Sequence, residues 1–423
     1  MEIKKGYKQT ELGIIPEEWE VKKIGDCFEF LTTNSYSREK MTYEEQEYMN
    51  IHYGDIHMKY GATLDIEEMK GKIPYIKSEE TLPKKIILIE EGDLLIADAS
   101  EDYKDIGKST EVLNVKDSKI LGGLHTLLLR DKNNYFINGY KGYILRSEKI
   151  SKEVKKIATG ISVLGISKTN LSELNIPIPP LKEQEKIAEV LSCYDKAIEQ
   201  QELLMEKEKE FKKGMMQKIF SQEIRFKGDD GENYPEWEEK RLLEIGEIIT
   251  GKTPSTKEEK YWNGNIQFVT PTDIRNKKYQ IKTDRFVTEE IQMKFLPIGT
   301  IMFTCIGATI GKMSIATKIC ITNQQINSII VKENIDSEYI YYFLLYIVPR
   351  IQSSKSTTTM PIINKTEFSN IYIKLPVKLE QEKIANFLSD VDRKIELLEN
   401  KLQLLKNEKK GMLQKLLTGE IRV

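Results

Sequence analysis

His52, Asp55 and His57 are the first side chains in this sequence whose types and spacing could do chemistry together. Two imidazoles and a carboxylate can ligate a metal ion. A separation of five between the histidines suits neither a helix face nor a strand face, and the matching stretch in the second half has no histidine. No metal site is expected. Cys27, Cys193, Cys305 and Cys320 form no CxxC pair, so neither zinc nor a disulfide framework is expected. Two sites look like incomplete phosphate-binding loops. In Gly107-Lys108-Ser109-Thr110, Asp102 stands where the first glycine belongs. From Gly307 to Gly311-Lys312 the spacing is one residue short and no Ser or Thr follows the lysine. Both are read as turns, and Lys108 and Lys312 as candidate phosphate contacts.

The stronger chemistry is hydrogen bonding and positive charge carried on loops. In the second half, Lys252, Thr253, Ser255, Thr256 and Lys257 make one polar loop, and the run RNKKYQIKTDR carries Arg275, Lys277, Lys278, Lys282 and Arg285. Asn323, Gln324 and Gln325 add amides, which can pair bidentately with adenine. In the first half the candidates are Thr32, Thr33, Asn34, Tyr36, Arg38 and Lys40, with Lys59 and Tyr60. As sets these suit contact with a nucleic acid. Trp19 and Trp237 read as core residues.

The elements that must position these loops occur twice. Glu183–Arg225 and Glu380–Arg422 align without a gap at an offset of 197, and about half of the positions are identical. Each begins EQEKIA, and each follows an extended lead-in ending NIPIP or IKLP. The domains before them also correspond: Trp237 and Asp273 lie 218 residues after Trp19 and Asp55. Short apolar runs bounded by turn residues (MNIHYGDI, KKIILIEEGDLLIADAS, LHTLLLR) read as strands, and Tyr140–Ile157 as helix. The loops differ in length and sequence while the frame repeats. That is the pattern of one binding module with two targets.

In the second copy, apolar residues alternate at four and three from Ile384 to Leu416, with one miss at Lys409. This is a coiled-coil seam. The first copy keeps the frame but breaks it at Gln201, Glu208 and Lys212. Those positions are expected to hold a polar register device or a partner contact. Gly214 and Gly411 are expected to mark close approach of another backbone or the start of a helix end. Forty helical residues span roughly 60 Å, and a domain of this size is roughly 40 Å across. Parallel, in-register helices would demand too long a reach, so antiparallel packing is expected.

The reading is therefore an α+β protein: two similar globular α/β domains (1–180 and 226–376) separated by two long helices (181–225 and 377–423), packed as an antiparallel coiled coil with approximate two-fold symmetry. Length and composition agree. The chain has 423 residues, 39% hydrophobic and 31% charged, with a net charge of -2, which argues against a uniformly basic nucleic-acid binder. No run of apolar residues approaches a membrane span, and a cytoplasmic protein is expected.

The paired PLKEQEKIA and KLEQEKIA stretches, the YPEWEEKRL opening and the segment GKTPSTKEEKYWNGNIQFVTPTDI resemble the specificity subunit of type I restriction–modification enzymes. The resemblance covers nearly the whole chain. It implies that each domain is a target-recognition domain reading one half of a split, asymmetric double-stranded DNA sequence. The helices would set the separation and dock two methyltransferase subunits, and motor-nuclease subunits could join. The assembled enzyme would methylate adenine using S-adenosylmethionine, with ATP and magnesium also used by the partners. This chain would hold no cofactor and no active site. The docking surface is expected at the EQEKIA ends: Glu183, Gln184, Lys186, Ile187, Glu380, Gln381, Lys383 and Ile384. The alternative is a coiled-coil scaffold with two protein-binding domains. A self-sufficient enzyme is disfavoured, because an NPPY-type methyltransferase motif, a glycine-rich cofactor loop and a complete phosphate-binding loop are missing.

Overall fold

The computed structural model describes residues 3–82, 84–275, 277–355 and 361–423. The chain divides into two compact units. The first comprises Met1–Glu202 with Asn400–Val423, and the second Leu203–Glu399.

Each unit is built on a five-stranded sheet. In the first, the order is Phe28–Leu31, Thr126–Asp131, Leu94–Ala97, Ser109–Leu113, Thr63–Asp65. In the second it is Gly246–Thr250, Ile326–Val331, Ile301–Thr304, Met313–Ala316, Tyr279–Gln280. In both, neighbours are antiparallel except the last pair, which is parallel. The middle strands, LLIA and IMFT, are buried on both faces because they separate two cores. Alternation along a strand divides the residues. Leu94 and Ile96 join the core that includes the long helices, while Leu95 and Ala97 join the core under the smaller sheet. Ile301 and Phe303 part from Met302 in the same way.

The smaller sheets also correspond. Ile120–Gly122 runs parallel to Met49–Ile51, which pairs antiparallel with Tyr75–Ile76. Cys320–Thr322 runs parallel to Trp262–Val269, which pairs antiparallel with Arg285–Val287. The segment read as helical at 140–157 resolves into Lys141–Ile144 and Glu148–Ile157, the latter capped by Ser147. A helix over Ser337–Lys355 in the second unit was not expected from the sequence.

The long helices are Leu181–Phe220 and Lys378–Leu417. Each stops a few residues short of the expected bound, at a left-handed residue (Gln222, φ 67°; Gly419, φ 70°) that turns the chain back. Within the first unit, Asp195 pairs with Lys409, and Glu202 with Lys406 at 2.6 Å. Within the second, Glu208 pairs with Lys394 (2.7 Å), Lys209 with Glu399 (2.7 Å) and Lys212 with Asp392 (2.6 Å). From Asp195 to Glu202 the partner falls from 409 to 406, and from Lys209 to Lys212 it falls from 399 to 392, so the pairing is antiparallel in each unit.

The polar seam positions are internal contacts. Lys212 lies 5.2 Å from the Tyr342 ring centre, and the Tyr342 hydroxyl donates to Asp392 at 2.6 Å. Lys409, Asp195 and Tyr143 repeat the arrangement, with the Tyr143 hydroxyl 2.8 Å from Asp195. Gly214 and Gly411 remain within their helices, and a Cβ at either would meet open space. Neither expected reason for these glycines is seen within the described residues.

Candidate nucleic-acid interface

Three loops meet at one end of the second unit. Lys252 N donates to Thr322 O (2.9 Å) and Gly251 N to Ile326 O (3.1 Å), tying the loop after the first sheet strand to the turn after Cys320–Thr322. A Cβ on Gly251 would lie 2.2 Å from Asn323 O, so only glycine allows this approach. Asn323 N donates to Val269 O (3.2 Å), bringing in the third loop, where Asp273 accepts from Thr270 N (2.8 Å). Thr253 Oγ1 donates to Gln324 Oε1 at 2.8 Å. Arg285 lies 4.0 Å over the Trp262 ring, and Trp262 Nε1 donates to Ser255 O at 3.0 Å. Lys252, Thr253, Ser255, Gln324, Gln325 and Arg285 are thereby collected on one loop cluster. Asn323 is buried and bonded to Gln325 through both its amide groups, so it shapes the turn instead of facing outward. Thr256 and Lys257 continue the exposed loop.

The basic run does not act as one patch. Lys278 is turned under the sheet edge, donating to Glu338 and Ser389 at 2.8 Å, and Lys277 lies 3.6 Å from Glu396. Both line a groove of about 770 Å³ along the second long helix, as does Lys312. Lys312 stands nearer the loop cluster, since its carbonyl accepts from Thr304 N at 2.9 Å and the residue after Thr304, Cys305, donates from N to Gln325 O at 2.8 Å. Arg275 and Lys282 are exposed, with no ion-pair partner among the described residues. Asn276, between the cations, lies outside them.

The first unit brings the equivalent loops together. Asn34 donates to Gly122 O through both N and Nδ2 (2.8 Å each), Thr33 Oγ1 to Thr126 O (3.0 Å), and Gly123 N to Ile51 O (2.9 Å). Thr32 is exposed beside them. The cations here are paired: Arg38 and Lys59 flank the buried Asp55 at 2.9 and 3.1 Å, and Lys40 meets Glu80 at 2.7 Å. Tyr36 and Tyr60 are core residues, contrary to expectation. The Tyr36 hydroxyl is held by Thr81 O at 2.6 Å, and burial raises both phenols above the ordinary range. Lys108 folds onto His57 O (2.9 Å) and Asp105 (2.8 Å) in a turn.

The chain's three histidines surround Tyr53, with ring centres at 4.5 Å (His52), 5.8 Å (His57) and 5.4 Å (His125). His52 Nδ1 caps a short helix by accepting from Gly54 N at 3.1 Å, and burial pushes its imidazole down to about 4. His57 Nε2 lies 2.9 Å from Ala99 O. No metal-binding cluster occurs among the described residues. Sequence reasoning passed over Tyr53 and His125. The signal was present: Ile120–Thr126 aligns without a gap with Cys320–Ile326, placing His125 opposite Gln325.

Six of the eight EQEKIA residues expected to form an outward docking surface are turned inward: Glu183, Gln184, Ile187, Glu380, Gln381 and Ile384 are buried. Glu183 accepts from Trp19 Nε1 (2.9 Å) and from Arg422 Nε and Nη2 (2.5 and 2.9 Å). Glu380 accepts from Trp237 Nε1 (2.9 Å) and from Arg225 Nε and Nη2 (3.2 and 2.9 Å). Gln184 accepts from Ile137 N and donates to Tyr135 O and Pro179 O; Gln381 accepts from Asp336 N and donates to Pro376 O. Ile187 and Ile384 are fully buried. Lys186 is exposed, and Lys383 pairs with Asp229 at 2.6 Å.

Comparison with known proteins agrees with the repeat. The family model for the type I restriction modification DNA specificity domain matches residues 16–206 and 234–407. The chain is 27% identical to the type I restriction enzyme MjaVIII specificity subunit of Methanocaldococcus jannaschii, over 97% of this chain and 94% of that protein. It is 32% identical to the HindI specificity subunit of Haemophilus influenzae over 34% of this chain and 32% of that one. The fold matches the S subunit of a type I restriction–modification system from M. genitalium (TM-score 0.56, 17% identity, 98% of each chain). It also matches a chain from a structure of type I system assembly and conformational transition (TM-score 0.59, 18% identity, 96% and 99%). Two matched specificity domains, each ending on a long helix, place the chain in one family: it belongs to the type I restriction–modification DNA specificity subunits.

Proposed function

We propose that this chain is the non-catalytic reader of a bipartite, asymmetric DNA target in a type I restriction–modification complex. Each unit reads one half-site through its loop cluster. One observation supports this most: the same three loops are tied together on the same strand order twice, with different side chains. Two frames with unlike loops fit two unlike half-sites, so the target need not be palindromic.

The reaction belongs to the partners. Two methyltransferase subunits bring S-adenosylmethionine, and motor-nuclease subunits bring ATP and magnesium chemistry. The inward-facing Glu183, Gln184, Glu380 and Gln381 leave the outward helix residues, Glu185 and Lys186 in the first copy and Glu382 and Lys383 in the second, as the methyltransferase-docking positions. The working compartment is the cytoplasm, where the DNA and these partners meet. The test is selection from a random duplex library by the chain with its methyltransferase partner. A motif of two short halves with a fixed gap is expected; no enrichment sinks the reading.

A further inference from the structure

The two loop clusters differ most at one place. In the second unit the turn joining the sheets ends in Gln324 and Gln325. In the first, the aligned residues are Leu124 and His125, so His125 alone carries side-chain hydrogen-bonding groups there. Its backbone is left-handed, with φ of 54°, unusual for a residue with a side chain. Its ring stands edge-on to Tyr53 at 5.4 Å, and its side chain is 51% exposed. Asp98 Oδ1 lies 3.3 Å from Nδ1. A carboxylate there places the proton on Nδ1 and leaves Nε2 as an acceptor with no partner among the described residues. Strain, an exposed acceptor and a buttress that fixes the tautomer coincide on the loop cluster.

We propose that His125 is a base-reading residue of the first unit, its Nε2 accepting from an exocyclic amino group, adenine N6 or cytosine N4. Asp98 is its positioning residue, acting by holding the ring and its tautomer. The proposal rests on the DNA-reading assignment above. It gives the first unit a single acceptor where the second presents amides that both donate and accept.

The experiment uses the full chain assembled with its methyltransferase subunits, a randomised duplex library, and sequencing of the methylated products. H125A is expected to lose preference at one base position of one half-site by roughly ten- to hundredfold, with the other half unchanged. D98N is expected to weaken preference at that same position, which a merely structural role would not confine to one base. Asn tolerates left-handed backbone, so H125N keeps the turn if H125A does not fold, and is expected to shift preference at that position. An unchanged motif in a folded H125A or H125N complex overturns the proposal. A wild-type complex that yields no motif overturns the DNA-reading assignment itself, and the proposal with it.

Discussion

The two loop clusters stand on the same strands and use charge differently. In the first unit Arg38, Lys40 and Lys59 are tied to Asp55 and Glu80, and an aromatic and imidazole group fills the centre. In the second, Lys252 and Lys257 are exposed with no ion pair among the described residues, and Arg285 lies over Trp262. The helix ends show the opposite behaviour, because Trp19, Glu183 and Arg422 repeat Trp237, Glu380 and Arg225 contact for contact. The frame is held by buried, charge-assisted bonds that must be identical, and the loops are free to diverge.

The largest effect should come from breaking what the units share. Glu380→Ala leaves Trp237 Nε1 and Arg225 without their common acceptor. A loss of about 3 kcal/mol is expected, at the lower end for a broken buried pair because Arg225 can rehydrate. Glu183→Ala should cost a similar amount through Trp19 and Arg422. Denaturant melts of both variants check this. A loss below about 1 kcal/mol in either would show that the two anchors are not equivalent.

Next is the difference in free cations. Lys252→Ala and Lys257→Ala should each flatten the log–log salt dependence of DNA binding by about 0.9, the value of one lost phosphate contact. Lys59→Ala and Lys40→Ala should change it less, since their charges are already met by Asp55 and Glu80. Equal slopes for all four would erase the contrast. The measurement is affinity at several salt concentrations for the complex with its methyltransferase partner.

The repeat, the strand runs and the antiparallel pairing were legible in the sequence, because periodicity and gap-free alignment report on backbone and core. The direction of a charged side chain was not. Glu183 and Lys186 both sit in EQEKIA, yet one is buried against Trp19 and the other faces outward. Lys277 and Lys278 read as part of a basic loop because Glu396, Glu338 and Ser389, which hold them, are distant in sequence. Tyr36 and Tyr60 look like exposed loop aromatics until the core beneath each is known. Identity between copies marks a shared constraint without saying whether the constraint lies inside the protein or at its surface.

A smaller effect separates the units by pH. His52 titrates near 6.5 when unfolded and is pushed down to about 4 by burial. Its neutral form is favoured in the fold, so stability is full above pH 6.5 and is lost as pH falls from there towards 4. The imidazole is buried, so the loss at pH 5 is expected to be about 1 to 2 kcal/mol. His52→Asn keeps a capping acceptor for Gly54 N and should remove this loss. All three histidines lie in the first unit, so hydrogen exchange at pH 5 and 7 should show the change there and spare the second.

The smallest effect tests whether the helices are equivalent in isolation and in the assembly. Gly214 and Gly411 occupy matching positions, each within a helix and each with open space where a Cβ would go. Alanine in a helix interior is favoured over glycine by about 1 kcal/mol. Gly214→Ala and Gly411→Ala should therefore each stabilise the free chain by about that amount, and by the same amount within a few tenths, since the two surroundings match. Thermal melts of the free chain measure this. The same variants assembled with methyltransferase subunits give the sharper comparison. If the glycines leave room for a partner's backbone, both substitutions stabilise the chain yet weaken assembly, and the open space belongs to the interface. If assembly is unchanged, the identical KKGM segments reflect only the duplication. A gain at one position and a loss at the other would show that the two helices have taken different partners, as the two loop clusters have taken different chemistry.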